Sequence, residues 1–191
     1  MMNNTAEKVL PLVDEENAPG QVAQIYAEIK REMQLPVVPN IMRALAVSPA
    51  ALTAYWDFTR SFRQHSTLPE SLTYMILYAI AETSHCTYCS AAHELTCRTL
   101  GIDEETLSAV VEDLGNVSPA RVRAIIQFAL KVSHAPQNLV AADYERLREM
   151  GVTDAELVEI VHIAAIGKYG DTLADALKIP VDALVAQALG R

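Results

Sequence analysis

This 191-residue chain has little positive charge, little cysteine and no long apolar run, and each shortage excludes something. Fifteen basic residues face 24 acidic ones, for a net charge of −9. No stretch gathers Lys and Arg as a phosphate-tracking surface would, so nucleic acid is not an expected partner. No apolar stretch approaches the ~20 residues a membrane-spanning helix needs. Met1 to Lys8 show neither the basic start nor the apolar core of a secretory leader, which makes a cytoplasmic, membrane-free location the expectation. Three cysteines are too few for a disulfide framework. A reducing compartment would keep them as thiols unless they turn over. Alternating strand-like runs are absent too, while apolar residues recur at helical spacing nearly throughout. The predicted fold class is therefore all-α, and a hydrophobic content of 51% is ample for burial.

Prolines punctuate the pattern. The spacing predicts a first helix from about Asn17-Ala18-Pro19 to Met33, interrupted by Pro36 and Pro39, and a second from Asn40 to Val47. Pro49 opens a third that ends before Thr67-Leu68-Pro69, since proline suits a first helical turn and breaks an interior. A helix from Pro69 to Ile80 and a cysteine-bearing helix ending near Leu100 follow, with Gly101 as the residue beyond the end. Asp103-Glu104-Glu105 places acids at the positive end of the next helix, a solvated first turn.

After Gly101 the pattern starts again. Leu68-Pro69-Glu70-Ser71-Leu72 aligns with Ser118-Pro119-Ala120-Arg121-Val122 at an offset of 50, and the same offset joins Leu100-Gly101-Ile102 to Met150-Gly151-Val152. A shared offset argues for a duplicated helical unit. The expected organisation is one domain over 1–191: a helical lead-in 15–65, a cysteine-bearing repeat 66–115 and a cysteine-free repeat 116–180. At the offset, Cys86, Cys89 and His93 face Pro136, Leu139 and Asp143. The second copy keeps the apolar skeleton without the reactive groups, so those groups are not needed to build the fold.

The chemistry concentrates in Cys86-Thr87-Tyr88-Cys89-Ser90-Ala91-Ala92-His93, with Glu82 four residues upstream. On one continuous helix Glu82, Cys86, Cys89 and His93 would share a narrow stripe. Two thiols, a base and a carboxylate in that space suit reversible dithiol chemistry. Two cysteines on a helix also pack as small hydrophobes, but these are one turn apart, close enough for a disulfide. Adding Cys97 makes an apparent four-ligand zinc set. On one helix Cys86 and Cys97 would lie about 16 Å apart along the axis, which a single helix cannot close around one ion. Covalent haem attachment needs His directly after the second cysteine, where Ser90 stands. Cys97 reads as a packing thiol and His162 as a core histidine in an apolar run. His65 and His134 read as helix-end or loop residues. His85 approaches the motif if the helix starts at Cys86.

Cys86-Thr87-Tyr88-Cys89 with His93, together with Val38-Pro39-Asn40-Ile41-Met42-Arg43-Ala44-Leu45-Ala46 and Pro49, resembles the alkylhydroperoxidase D-like proteins. That family is grouped with carboxymuconolactone decarboxylases, and the likeness is to its peroxidase-related branch, from about residue 15 onward. The resemblance implies an all-helical fold with a duplicated unit, assembly into homo-oligomers (trimers or hexamers), and thiol peroxidase activity without a prosthetic group or metal. The expected partners are a hydroperoxide substrate and an external dithiol reductant. The family usually places a glutamate twelve residues before the first cysteine to orient the histidine; here that position is Tyr74. Glu82 is the carboxylate that spacing offers instead. Tyr88 stands where some members carry a second histidine.

The expected catalytic residues are Cys86, Cys89, His93, Glu82 and Tyr88. In the working mechanism Cys89 attacks peroxide as a thiolate, His93 removes its proton directly or through a water, and Tyr88 donates a hydrogen bond to the peroxide. Cys86 then condenses with the sulfenic acid to a disulfide. Two other readings stand beside it: a decarboxylase-like lyase, which has no use for a vicinal dithiol, and a non-enzymatic thiol redox sensor.

Overall fold

The computed structural model describes residues 9–191; the Met1 to Lys8 stretch, read above for leader features, lies outside the described residues. Those residues form helices and turns with no strand. A lead-in of α1 (Gly20–Met33), α2 (Asn40–Leu45) and α3 (Pro49–His65) precedes α4 (Glu70–Ser84), α5 (Thr87–Thr99) and α6 (Glu104–Glu112). Then come α7 (Ala120–His134), α8 (Ala141–Glu149), α9 (Asp154–Ala176) and α10 (Ala183–Ala188). None of these helices is long and apolar enough to cross a membrane.

Local chemistry sets the boundaries. Ser48 caps α3 with Pro49 in its first turn, and Asp103 caps α6, accepting from the Thr106 N–H at 2.7 Å. Thr153 and Glu156 form a reciprocal capping box at the start of α9. The helix predicted to stop at Ile80 continues through Ser84, and the one predicted to reach Val47 ends at Leu45.

The offset of the sequence repeat survives in three dimensions. Helices α4 and α7 start at 70 and 120, α5 and α8 end at 99 and 149, and α6 and α9 start at 104 and 154. Gly101 and Gly151 both take the left-handed conformation, at φ +84° and +77°, which a side chain would strain. The following N–H groups, of Ile102 and Val152, close on the Cys97 and Leu147 carbonyls at 3.0 Å. The copies differ in length: α6 stops at Glu112, whereas α9 runs on to Ala176.

That extension positions the site. Helix α9 packs on α4 and α7, and it also touches α5. One core lies among α4, α6, α7 and α9 and includes Ile76, Ile80, Ile125, Ile126, Ile160 and Cys97. A second core joins the lead-in residues Ile29, Leu52 and Trp56 to Ala81, Cys86, Cys89 and Ala174. The two motif cysteines therefore sit where the lead-in meets the repeats.

Candidate active site

The continuous cysteine helix expected from the spacing does not form. His85 adopts φ +58° and ends α4, with the His85 and Cys86 N–H groups closing on the Glu82 and Ala81 carbonyls at 3.1 and 3.0 Å. Helix α5 restarts with Cys86 as its N-cap residue. Glu82 thus belongs to α4 and accepts a hydrogen bond from Ser90 Oγ. It does not line the cavity that Cys89 and His93 share, so the stripe that was to bring its carboxylate to the thiols is not there. His85 is exposed and also lies off that cavity.

The break brings both thiols to the first turn of α5. Cys89 is 4% exposed and lies on the wall of a cavity of about 340 Å³. Cys86 is fully buried behind it. Both are free thiols. A shared hydrogen bond with Cys86 and burial push the Cys89 thiol well up, so the resting residue is protonated. His93, one turn further along α5, faces the same cavity. Desolvation pushes it down to about 4, leaving it neutral at pH 7.

The cavity wall is mainly apolar and aromatic: Met42, Tyr55, Trp56, Phe62, Leu77 and Ile163 contribute to it. Tyr74, at the family's glutamate position, lies beside His93 with ring centroids 5.9 Å apart. Its hydroxyl accepts from Arg63 Nη1 at 3.2 Å. The position keeps its place next to the histidine and offers a ring instead of a carboxylate.

Sequence reasoning missed Asp171. Its carboxylate lies with the Cys86 and Cys89 sulfurs in a cluster whose atoms are all within 4.8 Å of one another. Asp171 is 3% exposed, and its Oδ2 has no hydrogen-bond partner. It comes from the extended part of α9, next to Gly170, where an added Cβ would stand 4.0 Å from Cys89 Sγ. The available signal was an acid on the buried face of α9, in register with Ile160, Ile163, Ala164, Gly167 and Ala174. The zinc set does not assemble: Cys97 lies in the α4, α6, α7 and α9 core, and His93 is outside the compact cluster.

The Tyr88 hydroxyl is engaged within the protein. The residue borders the cavity, but its O–H donates to Asp182 Oδ2 at 2.9 Å while the Ile41 N–H donates to its oxygen at 3.2 Å. Asp182 Oδ1 also accepts from the Asn40 N–H at 2.7 Å, so the hydroxyl fastens α5, α2 and the start of α10 together. Tyr88→Phe is expected to destabilise the fold by about 1–3 kcal/mol, because buried partners lose their mate, with turnover per folded molecule unchanged. Thermal melts paired with activity assays check this. His162 packs against Phe58 and Phe62 at ring-centroid distances of 4.8 and 5.2 Å. His65 and His134 end α3 and α7.

Fold and site define an all-helical protein of alkylhydroperoxidase D-like architecture with a candidate Cys-x-x-Cys pair. The chain is a structural homologue of the alkylhydroperoxidase AhpD core of a peroxidase-related protein from Ralstonia eutropha JMP134, at 25% identity over 93% of both chains with a TM-score of 0.83. An uncharacterized peroxidase-related protein from Silicibacter sp. TM1040 matches at 24% identity over 97% of both chains, TM-score 0.84. The debrominase Bmp8, solved as a cysteine-to-alanine variant with 2,3,4-tribromopyrrole, shares the fold at 17% identity over 99% of this chain and 97% of its own, TM-score 0.78. No protein-family model matches the sequence, and no curated protein matches it significantly.

Proposed function

We propose that the protein is a thiol-dependent peroxidase that reduces organic hydroperoxides through a Cys86–Cys89 dithiol/disulfide cycle. The observation that carries this reading is the arrangement around the cavity: Cys89 and His93 on its wall, with Cys86 buried directly behind. Neutral His93 takes the Cys89 proton from the cavity side, and the thiolate attacks the terminal oxygen of the hydroperoxide. The sulfenic acid then condenses with Cys86. An external dithiol resets the pair, and assembly into a homo-oligomer is part of the reading. A wall of this size and apolarity suits an organic group better than hydrogen peroxide.

The test is hydroperoxide consumption by the purified protein with excess dithiothreitol. Multiple turnovers support the proposal. No turnover, with both thiols still free after peroxide, refutes it. A second reading draws on the aromatic wall and the debrominase likeness: the same dithiol would reduce a carbon–halogen bond, releasing halide and leaving a disulfide. Bromide release from a bromopyrrole, without peroxide turnover, would select it.

His93 carries a pH prediction. Its imidazole titrates near 6.5 in the unfolded chain and near 4 in the fold. Between those values the unfolded state binds more protons, so stability is present above the window and falls as pH drops through it. Lowering pH from 7 to ~4.5 is expected to reduce the melting temperature more in the unmodified protein than in His93→Gln.

A further inference from the structure

We infer that Asp171 is the proton carrier of disulfide closure, taking the Cys86 thiol proton and delivering it to the hydroxide that leaves Cys89. The inference rests on the peroxidase reading for the identity of the leaving group, and on geometry for the rest. Cys86 is fully buried and off the cavity wall, so the base on the cavity side, His93, is not placed to serve it. Asp171 is also off the cavity wall, yet its carboxylate lies within 4.8 Å of both sulfurs. A buried carboxylate oxygen without a partner is costly, and at a redox pair such an atom is free to accept a proton.

The surroundings tune that acceptor. The groups facing Asp171 are Ser84 of α4, Cys86 and Cys89 of α5, Lys168 and Asp175 of α9, and Tyr55 of α3. Desolvation, the largest influence, raises its carboxyl above the ordinary range, while the nearby Ser84 hydroxyl, Cys89 thiol and Lys168 charge oppose that rise. A carboxylate so raised is a better base than an exposed aspartate.

The chemistry balances. Attack of the Cys89 thiolate breaks the O–O bond and oxidises Cys89 by two electrons to the sulfenic acid, and the departing alkoxide leaves as the alcohol with the proton that His93 had taken from Cys89. The Cys86 proton then moves to Asp171, the Cys86 thiolate attacks the Cys89 sulfur, and the S–O bond breaks. The departing hydroxide takes the proton from Asp171 as water, and the Cys86–Cys89 bond remains.

Asp171→Asn should separate the two steps. Removing a negative neighbour eases ionisation of Cys89, so peroxide attack, followed in a single turnover, is expected to be no slower than in the unmodified protein. Disulfide closure is expected to slow about 10²-fold, with the sulfenic acid accumulating and trapped by dimedone. A side chain that merely supported the fold would not slow the second step while sparing the first. Diamide, which loads Cys89 with a leaving group without peroxide, measures the same closure independently of peroxidase activity. In the unmodified protein that closure should lose rate on the acid side as Asp171 protonates, a readout that needs no variant. Closure at the unmodified rate in Asp171→Asn, or closure independent of pH down to ~4, would overturn the inference. Failure of peroxide alone, with diamide closure behaving as described, would overturn the peroxidase reading and leave Asp171 in its role.

Discussion

Cys89→Ser is expected to abolish hydroperoxide turnover, with a rate at least ~10³-fold below the unmodified protein in tert-butyl hydroperoxide and excess dithiothreitol. The loss should be that large because the sulfur forms the bond to oxygen. Nothing else on the cavity wall replaces it: Cys97, the remaining thiol, is fully buried in the other core, and burial pushes it up to about 12. Cys86→Ser should behave differently. Its cavity-facing thiol and its base are intact, so without dithiothreitol it consumes one equivalent of peroxide and then holds a sulfenic acid, having no resolving partner, where the unmodified protein holds a disulfide. Stalling after one equivalent in one variant and silence in the other assigns the two cysteines. Equal residual turnover in both would reject Cys89 as the nucleophile.

Much of the architecture was written locally. Pro49 and Pro69 mark helix starts, Asp103 and Thr153 are capping residues, and Gly101 and Gly151 stand where a left-handed residue must end a turn. Each signal acts within a few residues of the structure it causes. The break between α4 and α5 was expected near Ile80 and falls at His85. His85 holds a positive φ without being glycine, so nothing local marks it as the stop, and ending the helix at Ile80 put Glu82 on the cysteine helix. Asp171 was hidden for the opposite reason. Its position on the buried face of α9 is regular, but its meaning depends on α9 outrunning α6 and crossing behind α5, a contact between segments far apart in the chain. The spacing of Cys89 and His93 was legible because both lie on one helix.

The seam that carries α9 to the thiols should be the most sensitive point of the fold. Ile80 is fully buried between α4 and α9. A Cβ added at Gly167 would lie 3.2 and 3.3 Å from its Cγ2 and Cδ1, so the isoleucine rests against the backbone of α9. Ile80→Ala leaves a void against that backbone, which helix geometry lets collapse little. The expected loss is about 2–5 kcal/mol, a fall in melting temperature of roughly 5–15 °C for a chain of this size. Gly167→Ala alone should give no gain, since the new methyl meets a side chain with no room to move. Combined with Ile80→Ala, it occupies the vacated space and should recover part of the loss, a favourable coupling that a double-mutant cycle of melts would read. Gly170 and Asp171 follow Gly167 by about one turn, so Ile80→Ala should also slow disulfide closure in molecules that remain folded. Additive effects of the two substitutions, with closure unchanged, would show that the α4–α9 seam neither couples these residues nor places Asp171 against the dithiol.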